Sequence, residues 1–425
     1  MVYAGSRCGR SKKPALIAAV KGWNTAVTKT LWIFNHYAAP PMGRHQALAE
    51  ALRAHGWQTF IFSASTSRQE HVGGKITELD GVHCRWLGTP SYDGNGVGRI
   101  ANMAAFTVSA MARAVAIGDV PRPDAVWGST VHPGAPLAAL QVWRRFKVPF
   151  IYEVRDLWPE TFVAMGRLTR NSPIARALYL TEHQTAKRAD LILSPLDGIG
   201  KYFEERYAIP QARFKCIPNG IQASRVVSRE NIAKHEEGEK TIFSFAGAMG
   251  NVNGLDLLLD AFTDHARMSE NTVLKLIGDG PKREEIQQLT VTRGLTDRVV
   301  FTGWVPFEEI PSALASSDWN VAVIDDLPQV FRYGVSYIKI PEYMAAGRPI
   351  LLAANTGDDL IKQSGGGLSV LPNRAALAQA FTDAASTPRA ERQTMAVNGR
   401  DLVLRQLTYD SLAADLAVSL GRIAP

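Results

Sequence analysis

Twice along the chain, short apolar runs alternate with loops and helix-patterned stretches, and this order restricts the fold more than any other feature. In the first half the runs occupy 30–34, 57–62, 124–127, 148–154 and 190–193; in the second, 241–245, 273–277, 299–305, 318–324 and 349–354. Such runs, bounded by turn formers, read as buried strands. Between the first two lie a Pro-containing loop and a stretch with Ala47, Leu48, Ala51 and Leu52 at helical spacing, which stops at Gly56. Strand, loop, helix, strand is the unit of a doubly wound parallel sheet, whose ligands sit at the carboxyl ends of the strands. At 425 residues the chain exceeds one ordinary core. The expectation is an α/β protein of two Rossmann-like domains facing each other across a cleft.

Composition agrees with a globular enzyme: 46% hydrophobic and 20% charged residues. The net charge of +7 favours anionic partners such as nucleotide phosphates or an acidic membrane face. No dense Lys/Arg block, zinc-finger or RNA-binding signature is present, which argues against nucleic acid. The three cysteines, Cys8, Cys84 and Cys216, form no Cys-x-x-Cys pair and fit a reducing cytosol. Residues 1–28 carry Arg7, Arg10, Lys12 and Lys13 ahead of a short apolar run and read as a basic, disordered leader. No run of apolar residues is long enough to span a bilayer. The expected location is the cytoplasm, with peripheral binding at the inner face of the membrane.

Two clusters carry candidate chemistry. In the first, 333–350, a loop enters a short helix that stops at Gly347. Lys339 and Glu342 stand three apart on one helical face near its start. A cation and exposed backbone N–H groups make an anion site, and a carboxylate one turn on accepts hydrogen bonds from sugar hydroxyls. The pair reads equally well as a surface salt bridge. In the second cluster, the strand at 148–154 runs into Arg155, Asp156, Trp158 and Glu160. Charges and an aromatic face at a strand's carboxyl end suit a hydroxylated sugar; an ion pair capping the strand is the plainer alternative. Gly43 and Arg44 open the first helix and face the same side, as either a ligand contact or a tight turn with a solvated arginine. His132 follows the strand at 124–127 and is either a substrate contact or a structural hydrogen bonder. The Gly-rich stretch 246–254, with Gly247, is a weak phosphate-cradle signal.

The segment from Ser336 through Lys339, Glu342, Tyr343, Met344, Ala345, Gly347, Arg348 and Pro349 resembles the donor motif of retaining, family-4-type glycosyltransferases of GT-B fold. It is closest to their bacterial polysaccharide and O-antigen branch, whose Glu-Val-Arg-Asp-Leu-Trp-Pro-Glu run matches residues 153–160 throughout. The resemblance extends over roughly residues 30–410, including a Gly-x-Gly-Pro turn at Gly278 and Gly280. It implies a sugar nucleotide, most simply a UDP-sugar, bound by Lys339, Glu342, Ser336, Gly247, Asn253, Gly278 and Gly280. It implies Asp156 and Arg155 at the reacting centre, Lys339 neutralising the leaving diphosphate, and Gly43, Arg44, His132, Trp158 and Glu160 toward the acceptor. No metal and no bound cofactor are expected.

Three departures stand out. Tyr337 occupies the branch's Pro position. Gly334 replaces a Glu that touches the donor sugar in the wider family. Ala248 and Asn253 stand where the family has an Arg and a Lys gripping the pyrophosphate, so Lys339 carries that charge or Arg332 substitutes. The boundaries expected from this pattern are 29–220 and 241–405 for the domains, 221–240 for a charged linker, and 406–425 for a helix returning to the first domain. The implied activity is retaining, metal-independent sugar transfer to a saccharide or lipid-linked oligosaccharide in cell-surface polysaccharide or capsule synthesis. A catalytically silent nucleotide-binding subunit and a sugar-nucleotide epimerase on the same fold remain alternatives.

Overall fold

The computed structural model describes residues 29–38, 43–65, 75–92, 96–115, 120–235, 238–250, 253–324, 332–334, 338–356 and 359–424. The leader at 1–28 lies outside them, as do Ser336 and Tyr337. The chain forms two compact units, Met1–Pro218 with Tyr409–Pro425 and Asn219–Thr408.

The first unit is built on eight strands in the order β3-β4-β2-β1-β5-β6-β7-β8. They are β1 (Lys29–Phe34), β2 (Trp57–Ser65), β3 (Ile76–Leu79), β4 (Val82–Gly88), β5 (Ala125–Ser129), β6 (Phe150–Glu153), β7 (Leu191–Ser194) and β8 (Phe214–Cys216). Every pairing is parallel except β3 with β4. The two-residue period of a strand sorts β1 cleanly. Leu31 and Ile33 pack with Leu48 and Leu52 of α1 (Arg44–Leu52) and with Leu412 and Leu416 of the C-terminal helix Tyr409–Ile423. Trp32 and Phe34 point to the opposite face, where both rings meet Phe62. A sheet buried on both faces requires such apolar runs.

The second unit carries a wholly parallel sheet in the order β11-β10-β9-β12-β13-β14. Its strands are β9 (Thr241–Ala246), β10 (Thr272–Ile277), β11 (Val299–Gly303), β12 (Trp319–Val323), β13 (Ile350–Ala353) and β14 (Gly367–Val370). Phe243, Phe245, Leu274 and Trp319 pack with the helices Leu255–Ala266 and Arg374–Ser386. Ala246, Ile277 and Leu352 meet Ile340, Tyr343 and Met344 of the helix Lys339–Ala345 on the other face.

The stretch expected as a linker is, where described, part of the second unit. Ile221 bridges to Thr408, and the Val227 N–H donates to Ala345 O at 2.9 Å. Val227 and Ile232 lie so close to Gly347, whose φ is +68°, that a Cβ there would meet them at 2.4 and 2.6 Å. The charges at 223–240 hide these few apolar anchors. The C-terminal helix belongs to the first unit, against α1.

Candidate functional site

At the carboxyl end of β9 the chain turns through Gly247, Ala248 and Met249. The Gly247 N–H donates to Ile277 O and the Met249 N–H to Asp279 O, so the loops after β9 and β10 lie backbone against backbone. Side chains would forbid this. Gly278 has φ +131°, and a Cβ on it would fall 2.1 Å from Gly247 O; one on Gly280 would fall 2.5 Å from Met249 O. The spacing of these glycines therefore lets the two loops pack backbone on backbone.

Lys339 lies against the first of these loops. Its helix is pinned by the Tyr343 hydroxyl, which accepts from the Ala246 N–H at 2.7 Å and donates to Ala246 O at 2.9 Å. One turn earlier, the Lys339 ammonium sits 4.2 Å from the centre of the Phe245 ring. It donates to Asn253 Oδ1 at 2.8 Å. The absent side chain of Gly247 makes its room, since a Cβ there would fall 2.6 Å from Cε and Nζ. Burial lowers its pKa to about 7. Among the described residues the ammonium meets an aromatic face and an amide oxygen but no carboxylate. Asn253 also donates from Nδ2 to Ala248 O at 2.6 Å. The amide that replaces the family's lysine thus closes the loop and aims the remaining lysine.

Glu342 does not pair with Lys339. Its Oε1 accepts from Arg225 Nη2 at 3.2 Å, and the Arg225 guanidinium lies 3.9 Å from the Phe307 ring centre. Burial raises the Glu342 carboxyl pKa, and Arg225 opposes the rise. Arg225 was not legible in the sequence: it stood among charges assigned to a linker. Arg332 is exposed, its guanidinium over Tyr333 at 4.5 Å.

In the first unit, Arg155, Asp156 and Trp158 follow β6 as expected. The Arg155 N–H donates to Thr130 Oγ1 at 3.0 Å, and the Trp158 N–H donates to Asp156 O at 3.0 Å. Asp156 is exposed, and Trp158 is half-buried with its ring 4.5 Å from Phe162.

Two side chains expected toward the acceptor are buried and paired within the unit. Glu160 is buried and accepts from Arg170 and from the Tyr179 hydroxyl at 2.6 Å, with Arg206 at 3.6 Å. Although burial raises its pKa, Tyr179 and Arg170 hold it below the ordinary value. Arg44 is likewise buried: Nε donates to Glu153 Oε1 at 3.2 Å, Nη2 to Ile217 O at 2.6 Å, and Nη1 to Pro218 O. Glu153 Oε2 also meets His45 Nε2 at 2.6 Å. Burial alone would raise the Glu153 pKa, but His45 and Arg44 hold it well below the carboxylate range. Both charged ends are engaged within the unit's own framework. Gly43 is the extended N-cap of α1. His132 is buried beside His36, with ring centres 4.7 Å apart.

Comparison with known proteins agrees with this division. The Glycosyl transferase 4-like domain family matches residues 43–220, and the Glycosyl transferases group 1 family matches residues 240–387. A GDP-mannose-dependent alpha-(1-6)-phosphatidylinositol monomannoside mannosyltransferase of Mycobacterium tuberculosis is 26% identical over 52% of this chain and 59% of its own. The chain spans about half the length of the relatives it matches. Among solved structures, sucrose-phosphate synthase from Thermosynechococcus elongatus aligns with a TM-score of 0.72 at 18% identity, over 93% of this chain and 99% of its own. Anabaena HepE in complex with UDP and glucose aligns with a TM-score of 0.64 at 16% identity, over 92% and 99%. The fold is therefore GT-B, the match to the Glycosyl transferase 4-like domain lying in the first unit and that to Glycosyl transferases group 1 in the second.

Proposed function

We propose that the chain transfers a sugar from a nucleoside diphosphate sugar, a UDP-sugar in the reading favoured here, to a saccharide or lipid-linked oligosaccharide. The observation that carries this is the Lys339 ammonium, seated on Phe245 and Asn253 in the room that Gly247 leaves at the carboxyl end of β9. The position is the switch point of the sheet, where β10 and β12 leave β9 in opposite directions. A diphosphate there completes the charge, and Glu342, one turn along, receives ribose hydroxyls. In the reaction the bond from the anomeric carbon to the diphosphate oxygen breaks and a bond to the acceptor oxygen forms with retained configuration. The acceptor's proton leaves with the diphosphate, whose growing charge Lys339 stabilises. Arg155, Asp156 and Trp158, at the carboxyl end of β6, are proposed to contact the acceptor sugar. Bacterial cell-surface polysaccharide or O-antigen synthesis, on the inner face of the membrane, is the setting we favour. Among the described residues no helix is long and apolar enough to cross a membrane.

The test is incubation with UDP-, GDP- and ADP-sugars and a lipid-linked or saccharide acceptor panel, scoring nucleotide release and product. Release of UDP with an α-linked product from an α-linked donor supports the reading. Epimerised donor without transfer, or binding without turnover across the panel, contradicts it.

A further inference from the structure

The amino edge of the first sheet gathers more positive charge than the chain itself answers. β6, β7 and β8 are neighbours, and the chain enters all three at this edge. Arg144, Arg145 and Lys147 end the helix Ala135–Phe146 ahead of β6. Lys187 and Arg188 end the helix Pro173–Arg188 ahead of β7, and Arg213 stands directly before β8. Among the described residues none of these cations has a carboxylate partner. Helix ends explain part of the charge. Arg213 Nη1 donates to Lys187 O at 3.2 Å, and Arg188 Nη1 to Gln184 O at 2.7 Å. A helix carboxyl end carries about half a negative charge, so two such ends offset about one cation.

Between these helix ends the surface forms a concavity of about 480 Å³, the size of a small-molecule site. Trp143, half-buried, lines it with Gln184, Lys187, Arg188, Asp190 and Arg213. The two guanidiniums are fixed by the helix end, and each keeps further N–H groups to donate. Asp190 Oδ2 accepts from the Phe150 N–H at 2.8 Å, which leaves Oδ1 as an acceptor. Lys147 Nζ lies 5.8 Å from the Trp143 ring centre, a further cation beside the concavity.

We propose that this concavity is a binding site for a saccharide that carries a carboxylate or phosphate group. The anionic group meets the guanidiniums and Lys187. Ring hydroxyls donate to Asp190, and the C–H face of the sugar covers the Trp143 indole. Other anions match less of the lining. Inorganic phosphate, even with a P–OH to donate, has no ring to cover the indole. A nucleobase stacked on Trp143 requires apolar cover on its second face, and apart from Trp143 and Ala189 the lining is polar or charged. Arg155, Asp156 and Trp158 stand at the other end of β6, so this site is separate from the acceptor position proposed above and does not rest on the transferase reading.

The experiment is NMR of the full chain labelled with nitrogen-15 at tryptophan, the Trp143 indole N–H being assigned through Trp143→Phe. Its probes are D-glucuronate, D-glucose 6-phosphate, methyl α-D-glucopyranoside, inorganic phosphate and UDP. The expected result is a saturable shift of that indole with glucuronate or glucose 6-phosphate, the tighter of the two identifying the preferred anionic group. The neutral glycoside should bind at least about tenfold more weakly, because it lacks the charge-assisted contact. Affinity for the anionic sugars should fall as salt is raised. Lys187→Gln, at an exposed helix end, should weaken them about tenfold and leave UDP affinity, read by calorimetry, at the parent value. An indole that neither anionic sugar moves, or equal affinity for the neutral glycoside, would overturn the proposal. The same shift with phosphate or with UDP would also overturn it. Absence of UDP binding alone would sink the transferase reading and leave this site standing.

Discussion

The Nζ of Lys339 donates to the Oδ1 of Asn253 at 2.8 Å, across a loop whose glycines leave the lysine room. A residue standing where the glycosyltransferase pattern has a second cation therefore serves the first one. Burial holds Lys339 to about 7 against an ordinary 10.5. In the unfolded chain the group stays protonated to the higher value, so its contribution to stability rises with pH between about 7 and 10.5. A bound diphosphate keeps the ammonium charged, so UDP binding above pH 7 should take up a proton and weaken by up to about tenfold per pH unit. Calorimetry in buffers of different ionisation enthalpy measures the uptake. Asn253→Asp should raise the lysine's pKa, abolish the uptake and weaken UDP; an unchanged proton count in that variant would contradict the account.

Arg44 should behave as a framework residue. Removing one partner of a buried ion pair leaves the other charge uncompensated and costs about 3–5 kcal/mol. Arg44→Met should therefore lower stability by that order in denaturant titration while leaving UDP affinity near that of the parent. A variant of undiminished stability that has lost acceptor turnover would restore the ligand-contact reading.

Glu182 offers a second pH test. It accepts from the Tyr207 and Tyr202 hydroxyls at 2.6 and 2.8 Å, and burial raises its pKa to about 8 from 4.5. The folded chain binds the extra proton across that window. Stability from this group is thus full below pH 4.5 and is lost as pH rises toward 8. Glu182→Gln should flatten this part of the profile and gain on the parent at pH 8. Parallel melting curves across the range would refute it.

Much of the fold was legible because parallel sheets covered on both faces demand continuous apolar strands, and β1, β2, β6 and β9 have them. The glycine positions were legible because local backbone geometry dictates them; Lys339 was singled out by the resemblance of its segment, since its spacing to Glu342 read equally as a surface salt bridge. What escaped was long-range pairing. Arg225 finds Glu342 at a separation of 117 residues, and Arg44 finds Glu153 and Ile217 at 109 and 173. A lone arginine in a charged stretch gives no sign of whether its partner is water, ligand or a distant carboxylate. The anchors in 221–240 escaped for the same reason, since Ile221, Val227 and Ile232 are too sparse to form a pattern, yet each has a partner in the folded unit.

The central claim is that Lys339 meets a diphosphate and Glu342 a ribose. Calorimetric titration of UDP and of uridine against the parent, Lys339→Ala and Glu342→Gln tests it most directly. Charge-assisted hydrogen bonds contribute about 1.5–3 kcal/mol, so losses of roughly 10- to 100-fold are expected. Lys339→Ala should weaken UDP by that factor and spare uridine, whereas Glu342→Gln should weaken both. Melting should stay cooperative in each variant. UDP affinity equal to the parent's in either folded variant, or loss of uridine binding in Lys339→Ala, would contradict the account.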